Sequence, residues 1–141
     1  MTDLNTLLAE RACQRLMLEY CECTDTRQFE RLVVLFAKDG VLNRSDTGEL
    51  RGRAAIKAFF DTLPIDRFIH AGSNMLVTVT GPGTAEATSY VTVCRSHYRK
   101  NDAGLPKLAP PYLVAKYVDR FVLENGEWKI AYRETIFLAR E

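Results

Sequence analysis

The sequence predicts an α+β fold with helices packed on one face of a curved sheet, and three observations predict it. Apolar residues recur at helical spacing from Leu4 to Leu63. After that the texture changes to four runs rich in Val, Thr, Tyr and Phe, at 70–80, 85–98, 111–124 and 127–138. Gly81-Pro82-Gly83 and Asn125-Gly126 separate neighbouring runs, and the second is a strong hairpin signal because both residues tolerate positive φ. Helices first and turn-linked strands afterwards favour helices segregated to one side of an antiparallel sheet.

Thr2 or Asp3 is positioned to cap a helix starting near Leu4. Its stripe is Leu4, Leu8, Ala12, Leu16 and Tyr20, flanked by Leu7, Met17, Cys21 and Thr24, and one further step from Cys21 reaches Asp25. Phe29, Leu32, Val33 and Phe36 mark a second short helix, with Gly40 as its stop. A short strand at 41–43 leads into the turn Asp46-Thr47-Gly48. A third helix over 53–63 buries Ile56, Phe59, Phe60 and Leu63, and Pro64 ends it. The 101–111 stretch, with three prolines, reads as a longer loop between paired strands. In the last run Trp128, Ile130, Tyr132, Ile136 and Leu138 share one parity, with Ala131 and Phe137 on the other. A sheet apolar on both faces needs two covers. The helices supply one; a second subunit, or the sheet folding over itself, supplies the other.

At 141 residues the chain reads as one domain, 1–141. Apolar residues at 47% and charged residues at 26% are ordinary for a soluble globular protein. A net charge of +1 without a basic cluster argues against nucleic acid or an anionic membrane as partner. No signal-peptide pattern opens the chain and no apolar run has membrane length, so the expected location is the cytoplasm. Cys13, Cys21, Cys23 and Cys94 have no CxxC or zinc-like spacing and read as reduced small hydrophobes. HExxH, facial-triad, GxGxxG, Walker and GxSxG patterns are missing, so no metal or other cofactor is expected.

Three residues stand out as candidate catalytic groups. Asp25 extends the apolar stripe of the first helix, where a carboxylate is costly unless it has a partner; it also suits a cap for the second helix. The chain's two histidines, His70 and His97, fall within or beside strand runs. With Asp25 fixing its tautomer, His70 would serve as a general base. His97 lies in a polar, basic surround that equally suits a solvated strand end. Asn74, four residues after His70, shares its strand face and is expected in the same cavity. Tyr20, Tyr90, Tyr117, Trp128 and Tyr132 either frame a pocket or serve as core aromatics. Arg133 either contributes to the site or pairs with Glu134 or another surface acid.

The run Cys23-Thr24-Asp25-Thr26-Arg27-Gln28-Phe29-Glu30-Arg31-Leu32 resembles the SnoaL-like branch of the nuclear transport factor two-like superfamily. Leu35 to Gly40, Gly52-Arg53-Ala54-Ala55-Ile56, the stretch His70 to Asn74 and Gly126-Glu127-Trp128-Lys129-Ile130 match the same pattern in order. The resemblance implies a cone: a curved mixed or antiparallel sheet wrapped around N-terminal helices, enclosing an apolar pocket, in homodimers or homotrimers. It also implies cofactor-free chemistry like that of scytalone dehydratase, lindane dehydrochlorinase, bile-acid dehydratase or steroid isomerase. Asp25 and His70 fall at the positions of the acid and histidine shared by the first two enzymes, and His97 at a second histidine of scytalone dehydratase. That enzyme's water-holding tyrosines correspond to Thr24 and Asn43, and its serine and asparagine to Ala115 and Tyr117. Scytalone itself is therefore not the expected substrate.

The expectation is a lyase (dehydratase) or isomerase acting on a small cyclic hydrophobic substrate. Asp25, His70 and His97 would be catalytic, and Tyr20, Asn43, Asn74, Tyr117, Trp128 and Arg133 would line the site. The alternative is a non-catalytic binding or assembly subunit, such as the β subunit of a ring-hydroxylating dioxygenase. In that case Asp25 would be a cap and both histidines structural.

Overall fold

The computed structural model describes residues 2–64, 67–97, 104 and 106–141, with the side chains of His97 and Pro111 outside that description. Helix α1 (Leu4–Asp25) begins at Asp3, whose carboxylate accepts the Thr6 N–H at 2.8 Å. Its buried line starts later than the sequence stripe predicts, with Ala9, Cys13, Leu16, Met17 and Tyr20. Leu4, Leu7 and Leu8 are each more than half exposed. Periodicity locates the helix but not the point where the core begins to cover it.

After α1, the short helix α2 (Phe29–Val33) gives way to strand β1 (Phe36–Arg44). Phe36 and Gly40 thus belong to a strand, not to a second helix and its stop. The run Leu35-Phe36-Ala37 is buried throughout, so the spacing could not separate the end of a helix from the start of a buried strand. A Cβ on Gly40 would meet the Ala37 and Ile130 carbonyl oxygens at 3.0 Å, which explains a glycine inside the strand. β2 (Gly48–Arg51) and α3 (Gly52–Asp61) follow, with Ile56 and Phe60 fully buried.

The remaining strands are β3 (Arg67–Gly81), β4 (Thr84–His97), β5 (Lys107–Glu124) and β6 (Glu127–Arg140). The sheet order is β2-β1-β6-β5-β4-β3. The β1/β6 pair is parallel and the other pairings are antiparallel, so the sheet is mixed. β5 starts at Lys107, inside the stretch expected to be a loop; residues 101–103 and 105 of that stretch lie outside the described residues. Pro110 and Pro111 fall where the β4/β5 register jumps, with Val93 opposite Leu113 and Arg95 opposite Ala109, so the ladder does not call on their missing N–H groups. Among the described residues no helix is long and apolar enough to cross a membrane.

Two bulges decide which residues face the helices. On β3 the register slips between Ser73 and Leu76, with Asn74 at φ 53. The inner positions change from Phe68, His70 and Gly72 to Met75, Val77 and Val79. On β6 Tyr132 pairs Arg120 and Ile130 pairs Phe121, leaving Ala131 as the extra residue. Inward positions therefore run Ile130, then Arg133 and Thr135. This overturns the single-parity reading of the last run and buries Arg133, expected either in the site or beside a surface acid.

Arg133 is fully buried and donates through Nε and Nη2 to the two carboxylate oxygens of Asp119, each at 2.8 Å. The Tyr20 and Tyr117 rings lie 4.2 and 4.0 Å from its guanidinium carbon. Tyr20 also packs edge-on against Phe36, Phe60 and Tyr117 at centroid distances of 6.2, 6.0 and 5.8 Å. Burial opposes the charge on Arg133, but the attraction and hydrogen bonds of Asp119 outweigh it and hold the guanidinium above its usual range. Replacing Arg133 by Met leaves Asp119 as an uncompensated buried charge, with an expected loss of about 3–5 kcal/mol in urea unfolding. The double variant D119L/R133M should recover most of that loss. Equal loss in the single and double variants would contradict it.

Candidate active site

Asp25 is the last residue of α1 and His70 lies near the start of β3. The helix stops there because Thr26 caps it and Arg27 takes a left-handed conformation at φ 57. The Thr26 hydroxyl donates to the Glu22 carbonyl at 2.7 Å, and Arg27 Nη1 donates to the Pro64 carbonyl at 2.9 Å. α2 has Gln28 at its N-cap with no side-chain capping bond, so the reading of Asp25 as a cap for the second helix is overturned. Its carboxylate turns to the sheet instead.

There it grips one residue twice. Oδ2 accepts the His70 backbone N–H at 2.9 Å, and Oδ1 lies 2.5 Å from His70 Nδ1. An ionised carboxylate only accepts, so the proton sits on Nδ1 and the lone pair on Nε2. Nε2 has no hydrogen-bond partner among the described residues. Both side chains are mostly buried, at 11% exposure for His70 and 22% for Asp25. They line an open cavity of about 430 Å³ together with Leu18, Cys21, Gly72 and a charged rim. The walls are not the apolar ones that the sequence predicts. The rim is charged because one wall is the α1 stripe Arg11, Arg15, Leu18, Glu22 and Asp25, whose steps of three and four residues keep it on one helix face.

Cys21 in the same cavity holds its proton near neutral pH. Burial, with help from Asp25 and against the pull of Arg133, pushes its thiol up to about 11. Burial likewise raises the Tyr20 and Tyr117 phenols, Tyr117 strongly, so both remain protonated donors near neutral pH.

The other sequence candidates divide three ways. Tyr20, Tyr117 and Arg133 do come together, as the buried cluster around Asp119 rather than as cavity lining, and the partner of Arg133 is not Glu134. Asn43, Asn74 and Trp128 do not join the pair. Asn43 faces away from the core and donates to the Tyr132 hydroxyl at 3.0 Å, since Leu42 and Arg44 hold the inward positions of β1. Asn74 is exposed at the β3 bulge, where the broken alternation removes it from the face of His70. Trp128 lines a separate cavity with Asp3, Ala9 and Val79. The backbone of His97 ends β4 opposite Lys107, and its side chain lies outside the described residues.

Residues not singled out in the sequence also matter. Asp119 shares the parity of the buried Ala115, Tyr117 and Phe121, a signal that could have marked it as an inward acid. Arg44 donates through Nε and Nη2 to Asp46 at 2.9 Å and lies over the Phe59 ring at 4.6 Å. Among the described residues no three His, Cys, Asp or Glu side chains are grouped to hold a metal ion.

The model of the SnoaL-like domain matches residues 5–134. The chain belongs to the SnoaL-like family. A search of curated proteins finds no match. Among solved structures, a candidate scytalone dehydratase from Novosphingobium aromaticivorans superposes at TM-score 0.80 with 23% identity, over 96% of this chain and 87% of the other. A type 3 hexachlorocyclohexane dehydrochlorinase from Novosphingobium barchaimii gives TM-score 0.83 and 19% identity over 99% and 93%. A candidate aromatic ring hydroxylase from Novosphingobium aromaticivorans gives 0.76 and 21% over 94% and 91%. At these identities the likeness establishes the shared cone fold and not an activity.

Thiol chemistry checks the burial around the pair. Burial and the nearby Asp119 carboxylate push Cys13 up to about 12, and Cys23 is fully buried, whereas Cys94 is only half-buried. In the native protein at pH 8, a disulfide reagent should modify Cys94 promptly and the other three cysteines only on unfolding. Prompt modification of Cys21 would contradict the burial of its thiol.

Proposed function

We propose that this SnoaL-like protein is a cofactor-independent lyase or isomerase in which His70 is the general base. The observation that carries the reading is the double grip of Asp25 on His70 at the wall of an open cavity. His70 Nε2 takes a proton from a carbon beside a carbonyl or leaving group. Asp25 stabilises the imidazolium that forms, and the same nitrogen returns the proton to a departing hydroxyl (dehydration) or to another carbon (isomerisation). The cyclic body of the substrate rests on Leu18, Cys21 and Gly72. The names of the neighbouring dehydratase and dehydrochlorinase support elimination chemistry. His97 is a second candidate acid at the end of β4.

Exchange of α-hydrogen for deuterium in a simple cyclic ketone, 2-tetralone, reads this step without knowledge of the natural substrate. The protein should accelerate exchange, and H70A should lose the acceleration by about 10²–10⁴-fold with its circular dichroism unchanged. D25N should lose most of it while retaining the fold. Full exchange activity in H70A would remove the assignment.

We also propose that the outer face of the sheet seats a second copy, in a homodimer or homotrimer. Leu76, Tyr90 and Val114 are exposed there, beside Glu86 and Glu134 of one sign and Lys116 and Arg120 of the other. A face carrying both signs around apolar residues can pair with itself. Sedimentation should show an oligomer that L76D/Y90E converts to a folded monomer. A monomeric wild type at micromolar concentration would overturn this arrangement.

A further inference from the structure

The cavity wall holds more hydrogen-bonding capacity for an anion than the proton-transfer reading uses. Arg11, Arg15 and Arg31 line it with Glu19, Glu22 and Asp25. Three cations against three acids sum to zero, but their hydrogen-bonding capacity is unevenly committed. Both oxygens of Asp25 are taken by His70. Glu19 is shared between Arg15 Nε at 3.0 Å and Arg31 Nη2 at 3.8 Å. Arg31 Nη1 reaches Gln28 at 3.3 Å. Arg11 has no ion-pair or hydrogen-bond partner among the described residues. A guanidinium carries five N–H donors, so most of the fifteen or so on these three side chains remain free, against one uncommitted carboxylate, Glu22.

The spacing sets the shape of what would fit. Arg15 and Arg11 precede Asp25 by ten and fourteen residues on one helix, which places their backbones about 15 and 21 Å along the axis from it at 1.5 Å per residue, and Arg31 joins that end through Glu19. We infer that the ligand is elongated, with a carboxylate tail held by Arg11, Arg15 and Arg31 and its reacting carbon at His70. A singly charged carboxylate suits the site better than a doubly charged phosphate, because the lining has no formal excess of positive charge until His70 takes its proton. Arg forks bind carboxylates bidentately, so the tail would fix the ring's distance from His70 as well as add affinity. This rests on the reading that the Asp25–His70 cavity is the substrate site.

The test compares 4-(2-naphthyl)butanoate with its primary amide, titrated into the full chain and followed by the His70 ring signals in NMR. The acid should bind about tenfold more tightly than the amide at low salt, and the advantage should shrink as ionic strength rises. R11Q/R15Q/R31Q, altered at three exposed positions where the fold is tolerant, should bind the acid no better than the amide. Equal binding of acid and amide by the unaltered protein would overturn the inference, and so would an acid preference that survives R11Q/R15Q/R31Q. Because these arms read binding alone, they separate from the exchange assay. Lost exchange in every variant would remove the chemistry but not the anion preference, and equal binding would remove the preference but not the chemistry.

Discussion

The buried pairing of Asp119 with Arg133 is the constraint around which the other elements are arranged. It joins β5 to β6 at a point where neither side chain meets solvent. Burying two charges is costly, and only a close two-point geometry with few alternatives offsets the cost. That makes the pair directional: β5 and β6 have one register in which both hydrogen bonds form. Tyr20 then reaches from α1 to cover one ring contact of the guanidinium while Tyr117 covers another from the sheet. The helix is thereby seated by a charged group rather than by apolar packing alone. Since Asp25 lies five residues beyond Tyr20 on the same helix, the geometry at His70 inherits that seating.

Much of this was legible in the residues. The helices-then-strands order, the hairpin at Asn125-Gly126, the start of α1 at Asp3 and the meeting of Asp25 with His70 all follow local patterns or a matched motif. What escaped has a common cause. A period-2 reading assumes unbroken alternation, and one extra residue reverses every position beyond it. Ala131 did this to Arg133, and the slip at Asn74 removed that residue from the face of His70, where the alternation predicts it. Neither position has a composition that announces a bulge: alanine is neutral there, and asparagine only tolerates the left-handed backbone. The Phe36 and Gly40 error is of another kind, because a stretch buried on all sides shows no period to read.

The site combines two electrostatic settings at different depths. At its inner end, a carboxylate and an imidazole exchange stabilisation across one short contact, screened by burial. At its outer end, arginines and glutamates lie in water-exposed positions where fields are weak and salt-sensitive. The neutral thiol of Cys21 and the small Gly72 lie at the inner end and add bulk without charge. The two ends of the cleft therefore lie in different dielectric environments.

The double grip of Asp25 has a consequence for how such a protein can diverge. One carboxylate both orients the His70 ring and ties the end of α1 to β3 through a backbone hydrogen bond. Removing the carboxylate altogether loses both contacts to His70 at once, so variation there is doubly penalised. Arg11, Arg15 and Leu18 sit on the exposed side of the same helix and carry no part of the core. Substitutions there cost little stability, typically within about 0.5 kcal/mol. A lineage built on this scaffold can rewrite the outer face of a single helix while the Asp25–His70 contact beneath it stays in place.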